Sequence, residues 1–582
     1  MTKSPSVIAL IVADASAGRL GHARRLDTPL AGRPALWHTL QRAGRIARVG
    51  RIVVVHPPGQ DPLAGIDTSY IPTPIETFAH GDVAGDNLTP RLRSARKWAL
   101  SGWRGGLAGA TAWDELLPAR PLALAMDQFK AEAAVLVGGD WCGFDPGYAD
   151  GLLDIHLDAP EAMKVTFTQA PPGLSPLVTS RAVLHDLADK QATFGGVLAY
   201  NPKRPAIDPI SRECNLPIAA DVRDTARRFI FDTPGSIQRL ERIAETLDED
   251  FLGADAAVIT DACRGWEIEH PGHITDELPE QITIELTPIR LVNGPITPQH
   301  YVDLPRSEMD FDLACGVIAQ CGGKAVTLGG LGDALLHPRW PELVKAAANA
   351  GVFGLHIETD LLSPREELAP LTELPIDIVS VRLNADTAAT YAKVMGEDRL
   401  PEVMANLQWL FDRRRTVTES QNQLPGLLPG VGAGLPWIIP RLVKTADTLK
   451  DMEMFFERWM QVVGHAVIER PMTLGKGSFA LVPDLSPVPM DPPWKPPSPH
   501  QVKRRLTVLS DGTVTLCGQD ALGRASLGNA ADNSLRDLWR RVADLEIPGS
   551  SDDSPVCRRC YDWWSLRRQE ISSGVAKSPI CA

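Results

Sequence analysis

The chain has 582 residues, 44% hydrophobic and 23% charged, a composition typical of a globular protein with about three or four domains. A net charge of −13 and a pI near 5.5 argue against a nucleic-acid-binding surface, although one basic loop could still bind phosphate. No apolar run reaches the roughly 20 residues that a membrane span needs. The nine cysteines do not form a disulfide framework, so we predict a cytoplasmic protein.

The first part of the chain, residues 1–247, alternates short apolar runs with amphipathic stretches. This alternation predicts an α/β fold with a mostly parallel sheet covered by helices. We expect helices over 34–48, 145–157 and 234–247. The predicted strands are V-I-A-L-I-V (7–12), R-I-V-V-V (51–55), A-A-V-L-V (133–137), K-V-T-F-T (164–168) and R-F-I-F (228–231).

Three motifs of this part follow one another in a recognisable order. They are R-R-L-D-T-P-L-A-G-R-P-A-L-W-H (24–38), G-G-D-W-C-G-F-D-P (138–146) and F-D-T-P-G-S (231–236). They resemble motifs of sugar nucleotidyltransferases, most closely the cytidylyltransferase branch that activates acidic sugars. The resemblance implies a Rossmann-like nucleotidyltransferase sheet, a nucleotide or sugar nucleotide as partner, and a role in cell-surface or polysaccharide metabolism.

The resemblance also implies a magnesium site. In the family the aspartates of the last two motifs hold the metal, which here means Asp140 and Asp232. Arg25 stands at the position of the phosphate-contacting lysine, and Arg19 and Arg24 are the other cations of the loop. Carboxylates suit Mg²⁺, and cations neutralise phosphate charge. From the residues alone, Asp140 could equally be a turn residue and Asp232 a helix N-cap.

A second β/α run occupies residues 281–480, after a predicted connector over 248–280. Six consecutive units suggest a partial (β/α)6 barrel, and the Pro-rich stretch 481–499 is linker by composition. The six predicted strands are Q-I-T-I-E-L, A-V-T-L-G, G-L-H-I-E-T, I-V-S-V-R-L, W-I-I-P-R-L and H-A-V-I-E.

The segments L-G-G-L-G-D (328–333) and I-P-R-L-V-K (439–444) lie at the ends of two of these strands. With the segment after the first strand, they resemble a radical S-adenosylmethionine (SAM) enzyme of the branch with a SPASM tail. The resemblance implies a SAM site at Gly329, Gly330 and Asp333, with Arg441 and Lys444 as pocket cations.

The cluster motif of that family, C-x3-C-x2-C, has lost its cysteines. The three positions fall on Arg290, Gly294 and Thr297, none of which supplies the thiolate that cluster iron needs. Without the cluster, SAM loses the iron that anchors it. We therefore expect a degenerate barrel that does not cleave SAM.

The tail, residues 500–582, begins with a hairpin pattern, R-L-T-V-L-S-D-G-T-V-T-L-C (505–517). The dipeptide Asp511-Gly512 is the predicted turn. Together with C-R-R-C-Y-D-W-W (557–564), this tail resembles a SPASM domain, a small domain that binds an auxiliary iron–sulfur cluster.

The resemblance implies that Cys517, Cys557 and Cys560 bind the cluster. Cys581 or His500 could supply a fourth ligand, or the cluster could keep an open site. Three thiolates could equally hold Zn²⁺. A metal-free remnant of the domain is the remaining alternative.

Three hypotheses of function follow. The first is a nucleotide-binding, nucleotidyltransferase-like protein whose radical-SAM-like half does no radical chemistry. The second is a non-catalytic binding or scaffold protein built on both folds. The third is a radical SAM oxidoreductase with an unconventional cluster.

Overall fold

A computed structural model describes the chain in two compact units that divide after His270. No helix among the described residues is both long enough and apolar enough to cross a membrane. The described residues are 6–14, 20, 26–81, 89–105, 110–161, 164–199, 207–270, 278–422, 436–474, 481–487 and 505–543.

The first unit is built on a six-stranded sheet in the order β5-β4-β1-β6-β8-β7. The strands β5, β4, β1 and β6 are parallel, whereas β8 runs antiparallel to β6 and β7. The strands are β1 Val7–Val12, β2 Pro29–Leu30, β3 Arg33–Pro34, β4 Arg51–His56, β5 Ile75–Ala79, β6 Ala133–Gly138, β7 Val165–Thr166 and β8 Leu177–Ser180. The short strands β2 and β3 pair only with each other.

The order in which strands are added to this sheet reverses between β1 and β6. From β1 the chain passes to β4 and β5 on one side, and then crosses to β6 on the other side. The central strands β1, β4 and β6 are almost wholly buried, which explains their continuous Val, Ile, Leu and Ala composition. This reversal is a topological switch point, where helices leave the two neighbouring strands in opposite directions and open a crevice.

The helices of the first unit are α1 Ala35–Ala43, α2 Thr89–Arg96, α3 Ala119–Gln128, α4 Pro146–Asp158, α5 Arg181–Asp189, α6 Phe194–Val197, α7 Ala220–Arg223, α8 Pro234–Leu247 and α9 Ala256–Glu269. Capping explains where two of them begin. Asp145 accepts a hydrogen bond from Gly147 N at 2.8 Å, and Thr233 from Ser236 N at 3.3 Å, each with proline at the first helical position. Helices form in all three predicted stretches, although α1 ends at Ala43 and not at residue 48 as predicted.

The strand predicted at 228–231 is wrong. No strand forms there; instead the amides of Phe229 and Phe231 donate to the carbonyls of Pro172 and Asp140 at 2.8 and 2.9 Å. Both phenyl rings are buried in a cluster with α8 and α9, so the apolar pattern reflects burial against helices. Residues 248–270, within the predicted connector, form the 3-10 helix Asp248–Leu252 and α9 and pack in the first unit.

The second unit contains six parallel strands in chain order, which confirms the predicted partial barrel. They are β9 Gln281–Ile284, β10 Ala325–Leu328, β11 Gly354–Thr359, β12 Ile378–Arg382, β13 Trp437–Val443 and β14 Val467–Glu469. The helices are α10 Phe311–Ala319, α11 Trp340–Asn349, α12 Arg365–Leu368, α13 Ala388–Met395, α14 Leu400–Asn422 and α15 Leu449–Val462.

The tail continues the sheet of the barrel. Strand β15 (Arg505–Val508) pairs in parallel with β9, and it forms the predicted hairpin with β16 (Thr513–Thr515). Strand β17 (Gly528–Asn529) pairs with β16, and helix α16 (Leu535–Arg540) follows. Leu506, Val508, Leu538 and Trp539 belong to the same hydrophobic core as the barrel strands. The described part of the tail therefore lacks a separate core.

Candidate functional site

The first candidate site lies at the switch point, at the carboxyl ends of β1 and β6. Asp140 lies two residues after β6, and the amide of Gly139 donates to the Val12 carbonyl at 2.7 Å, which joins the two strand ends. The amide of Phe231 donates to the Asp140 carbonyl at 2.9 Å. The two predicted metal-binding segments therefore lie side by side, although they are about 90 residues apart in the chain.

Asp232 is held in a buried ion-pair network. The Nε of Arg228 donates to its Oδ1 at 2.9 Å, and Nη2 of Arg228 contacts both its Oδ2 and Glu115, the latter at 2.7 Å. Arg96 completes the network with Glu115 at 2.6 Å. Burial alone would lower the pKa of Arg228, but Asp232 and Glu115 outweigh it and raise that pKa well above its usual value. Asp232 therefore already has a permanent cation as its partner.

The fit of Mg²⁺ differs between the two aspartates. Asp140 is fully buried at the strand end and is the kind of hard carboxylate that Mg²⁺ prefers. Asp232 could bind the ion only by exchanging Arg228 for it. Among the described residues, no group of three histidine, cysteine or acidic side chains is arranged to hold a metal. The predicted phosphate-binding residues Arg19, Arg24 and Arg25 lie outside the described residues.

The three cluster positions of the barrel are filled by an ion pair and by close packing. The Nε of Arg290 donates to Asp360 at 2.8 Å and its Nη2 pairs with the other carboxylate oxygen, both side chains being buried. Gly294 packs against the end of α13 so closely that a Cβ there would lie 2.2 Å from the Met395 carbonyl carbon. Thr297 donates to the Gly294 carbonyl at 2.7 Å. These residues do not fit an iron–sulfur cluster.

The predicted SAM-binding glycines contact a carboxylate of the protein itself. The amide of Gly330 donates to Glu358 Oε2 at 3.0 Å, and a Cβ at Gly329 would lie 2.6 Å from the same oxygen. Arg382 donates to the carbonyls of Gly330 and Gly332 at 2.7 and 2.9 Å. The glycine loop (residues 329–333) is therefore wrapped around the side chains of β11 and β12.

Arg441 belongs to the same charged network. It pairs with Glu358 on β11 and with Glu469 at the end of β14, and Arg382 pairs with Glu358 at 3.1 Å. Burial alone would raise the pKa of Glu358, but Arg441 and Arg382 outweigh it and hold that pKa well below its usual range. Two arginines face two glutamates, so this part of the barrel end neutralises its own charge.

Asp333 and Lys444 occupy different surroundings. Asp333 is buried and accepts hydrogen bonds from Leu335 N at 3.0 Å, Thr359 Oγ1 at 3.0 Å and Asp360 N at 2.8 Å. Burial, reinforced by the Asp360 charge, raises the pKa of Asp333 to about 6. Lys444 follows β13, where its amide donates to the Glu469 carbonyl at 2.8 Å.

The sequence interpretation missed Glu358 and Arg382, which form the centre of this network. Each is preceded two positions earlier by a polar residue on the same face of its strand, His356 and Ser380, which contact each other at 2.7 Å. Polar residues at alternate positions of otherwise apolar strands were the available signal, because strand side chains alternate between two faces.

In the tail, Cys517 lies two residues after β16 and is half-buried. Its carbonyl accepts from Thr515 Oγ1 at 3.1 Å and from the Asp520 amide at 3.2 Å, which fixes the backbone on either side of the thiol. A thiol on such a rigid turn suits iron or zinc. The other predicted ligands lie outside the described residues: Cys557, Cys560, Cys581 and His500.

Comparison with known proteins supports the SPASM-like tail. A family model described as SPASM, iron-sulfur cluster-binding domain, matches residues 500–561. The chain is also 23% identical over 312 residues to an uncharacterized protein of Treponema pallidum, across 50% of this chain and 81% of that protein.

Similar solved structures include both kinds of protein that the sequence resembles. Streptococcus suis SuiB bound to precursor peptide SuiA has a TM-score of 0.37 at 10% identity, over 53% of this chain and 76% of that chain. BtrN in complex with AdoMet and 2-DOIA has a TM-score of 0.30 at 15% identity, over 49% and 94%. A cytidylyltransferase from Leptospira borgpetersenii has a TM-score of 0.31 at 11% identity, over 46% and 95%. TM-scores of this size carry no argument about function.

Proposed function

We propose that the first unit binds a nucleotide or sugar nucleotide together with Mg²⁺ at the switch point between β1 and β6. The observation that carries the proposal is the position of Asp140, two residues past β6 and hydrogen-bonded through its carbonyl to the segment of Asp232. Open α/β sheets bind ligands in the crevice at this point of their topology.

Asp140 would bind the metal, which would supply positive charge to stabilise the phosphates of the nucleotide. Arg19, Arg24 and Arg25 would neutralise the phosphates. Asp232 would join the metal only by giving up Arg228; otherwise the Arg228 network holds the segment against β6. If the second substrate of the nucleotidyl transfer is an acidic sugar, the reaction would belong to cell-surface sugar metabolism.

The test is thermal unfolding of the full chain with each common nucleoside triphosphate in Mg²⁺. A nucleotide at 100 times its Kd should stabilise the first unit by about 2.7 kcal/mol, because only the folded state binds it. Asp140→Asn and removal of Mg²⁺ should both abolish the shift. Asp154→Asn is the matched control, since this exposed carboxylate on α4 pairs only with Arg48 in the described structure. If no nucleotide changes the melting temperature, the proposal is wrong.

A second candidate function is nucleotide binding without transfer. The pairing of Asp232 with Arg228 favours it, because a carboxylate neutralised by a buried arginine is a poor ligand for a second cation. Pyrophosphate release separates the two functions. Binding without pyrophosphate, in the presence of acidic sugars, would favour the non-catalytic protein.

We propose further that the tail holds an iron–sulfur cluster on Cys517, Cys557 and Cys560, with Cys581 or His500 as the fourth ligand. The family match over residues 500–561 supports it. Iron, sulfide and zinc analysis of anaerobically prepared protein is the test. Cys517→Ser should lower the iron content; zinc without sulfide would point to a zinc site, and protein without metal would point to a remnant.

The barrel, in our proposal, does not cleave SAM. The ion pair between Arg290 and Asp360 and the packing of Gly294 support this, because they fill the positions of the three cluster cysteines. Reduced protein incubated with SAM should produce no more 5′-deoxyadenosine than a protein-free control. Production above that control would revive the third hypothesis, a radical SAM oxidoreductase with an unconventional cluster.

A further inference from the structure

Arg306 connects the first barrel strand to the loop that carries Cys517. It lies between the 3-10 helix Pro298–His300 and α10, and its side chain is almost completely buried. Its Nε and Nη2 donate to the two carboxylate oxygens of Glu285 at 2.6 and 3.1 Å. Its Nη1 donates to the Ala521 carbonyl at 2.5 Å. The guanidinium of Arg306 therefore contacts both the barrel, at Glu285, and the tail, at Ala521.

Glu285 is itself tied to the tail hairpin. It follows β9 directly, and its amide donates to the Val508 carbonyl at 2.9 Å. Its Oε1 also accepts from the Ser510 amide at 3.3 Å. Because Arg306 pairs with this fixed carboxylate through two hydrogen bonds, the direction of its third donor is fixed as well.

The loop from Cys517 to Ala521 is held from the barrel side at two points. Besides the Arg306 bond to Ala521, Gln519 accepts from the Leu474 amide at 3.0 Å. Ala521 packs with Leu331 of the glycine loop and with Leu474 and Val482. Asp520 closes the turn by accepting from the amides of Arg524 and Ala525, both at 2.8 Å.

We infer that Arg306 is a positioning residue for Cys517, holding the thiol of this loop where a metal can bind before the metal arrives. The inference rests on the proposed metal site of the tail and goes beyond it, because it places the control of that site in the barrel. A ligand held in advance binds metal more tightly, since less conformational entropy is lost on binding. A partner that orients a metal ligand typically contributes about 10- to 100-fold in affinity.

The main variant is Arg306→Gln with Glu285→Gln, which removes the bond to Ala521 without leaving a buried charge unpaired. We expect a chelator to remove iron about tenfold faster or more, with an altered absorption and electron paramagnetic resonance spectrum. Arg306→Lys keeps a positive charge beside Glu285 but cannot make all three hydrogen bonds of the guanidinium. Compared with the double variant, we therefore expect its melting temperature to return closer to the wild-type value than its spectrum does. Arg524→Gln is the matched control, because this arginine, three residues after the loop, has an exposed side chain.

Cys517→Ser tests whether Arg306 acts through the thiol. In that background the double change at 285 and 306 should alter the spectrum no further, because the affected ligand is already absent. The inference would be overturned if the double change altered the spectrum equally in the wild-type and Cys517→Ser backgrounds. A folded double variant with wild-type iron retention and spectrum would do the same, and would leave the metal site itself standing.

Hydrogen exchange on metal-free protein tests directly whether Arg306 holds the loop in place. The amides of Asp520, Arg524 and Ala525 should exchange roughly tenfold faster in the double variant than in wild type or Arg524→Gln. Unchanged exchange overturns the positioning role. If wild-type protein binds no metal, the proposed tail site fails, and the exchange result still decides whether Arg306 holds the loop.

Discussion

Gly294 occupies a position where any side chain would collide with backbone. A Cβ there would lie 2.2 Å from the Met395 carbonyl carbon and 2.3 Å from the Val394 oxygen, atoms that belong to α13 and cannot rotate away. Four residues earlier, Arg290 fills the first cluster position with a buried ion pair to Asp360. The backbone packing at Gly294 and the ion pair at Arg290 are therefore incompatible with cluster cysteines at these positions.

We predict that restoring the three cysteines, as Arg290→Cys, Gly294→Cys and Thr297→Cys, will not restore a cluster. The change at 290 leaves the Asp360 carboxylate buried without its cation, at a cost of about 3–5 kcal/mol. The change at 294 adds about 1–3 kcal/mol of overpacking. Thermal unfolding of the second unit measures the loss of stability, and iron content shows whether a cluster forms in the barrel.

The control for the glycine is Gly316→Ala. Gly316 lies in α10 with no atom within 4 Å of a Cβ, so alanine should be neutral or stabilise the helix by about 0.5–1 kcal/mol. A triple variant that folds normally and takes up a cluster's worth of iron beyond the content of wild-type protein would contradict the prediction.

The edge of β9 is an element whose stability depends on the tail. Strand β15 covers it along its full length, from Arg505 against Gln281 to Val508 against Ile284. Without that strand β9 would present a row of unpaired amides and carbonyls. The barrel and the hairpin are for this reason one folding element, although they resemble two different domains in sequence.

We predict that truncation after residue 499 destabilises the second unit, because it removes β15 and the apolar side chains that β15 and α16 add to the barrel core. The first unit, with its own cores, should unfold at an unchanged temperature. Truncation after residue 543 is the control, since it keeps β15, β16, β17 and α16. Limited proteolysis and calorimetry distinguish the two chains; equal stability would show that β15 contributes little.

The sequence predicted the elements better than it predicted their side-chain partners. Alternating and continuous apolar runs gave the six barrel strands and the hairpin, because these patterns record which faces are buried. The pair of Arg290 with Asp360 spans 70 residues, and no local pattern encodes it. The segment 228–231 was misassigned because aromatic residues favour strands, whereas here they pack against helices.

At the scale of the whole molecule, the two compact units should respond differently to acid. His38 in the first unit and His356 in the second are buried, and burial lowers the pKa of each from 6.5 to about 4. Between these values the unfolded state binds the extra proton and the folded state does not. The free energy of unfolding therefore falls as the pH falls from about 6.5 to 4, by up to about 1.4 kcal/mol per pH unit and histidine.

Asp333 opposes this effect in the second unit. Its pKa is raised from 3.8 to about 6, so in that window the folded state binds the extra proton. Its contribution to stability is greatest at low pH and is lost as the pH rises towards about 6. In calorimetry of the full chain between pH 5 and pH 7, we expect His38→Gln to flatten the pH dependence of the first unit alone. His356→Gln should reduce that of the second unit alone, where His465, whose pKa burial also lowers to about 4, continues to contribute.

Exposed histidine supplies the control for this experiment. His185, with 45% of its side chain exposed beside Asp127, should leave both transitions unchanged when replaced by glutamine. Glutamine at position 38 can still donate to the Leu30 carbonyl, which His38 contacts at 2.7 Å, so the loss of a hydrogen bond does not confuse the result. Because the buried imidazole is the group that titrates, wild type and His38→Gln should differ most near pH 5 and least at pH 7. A difference that is the same at both pH values would show that His38 affects packing and not protonation.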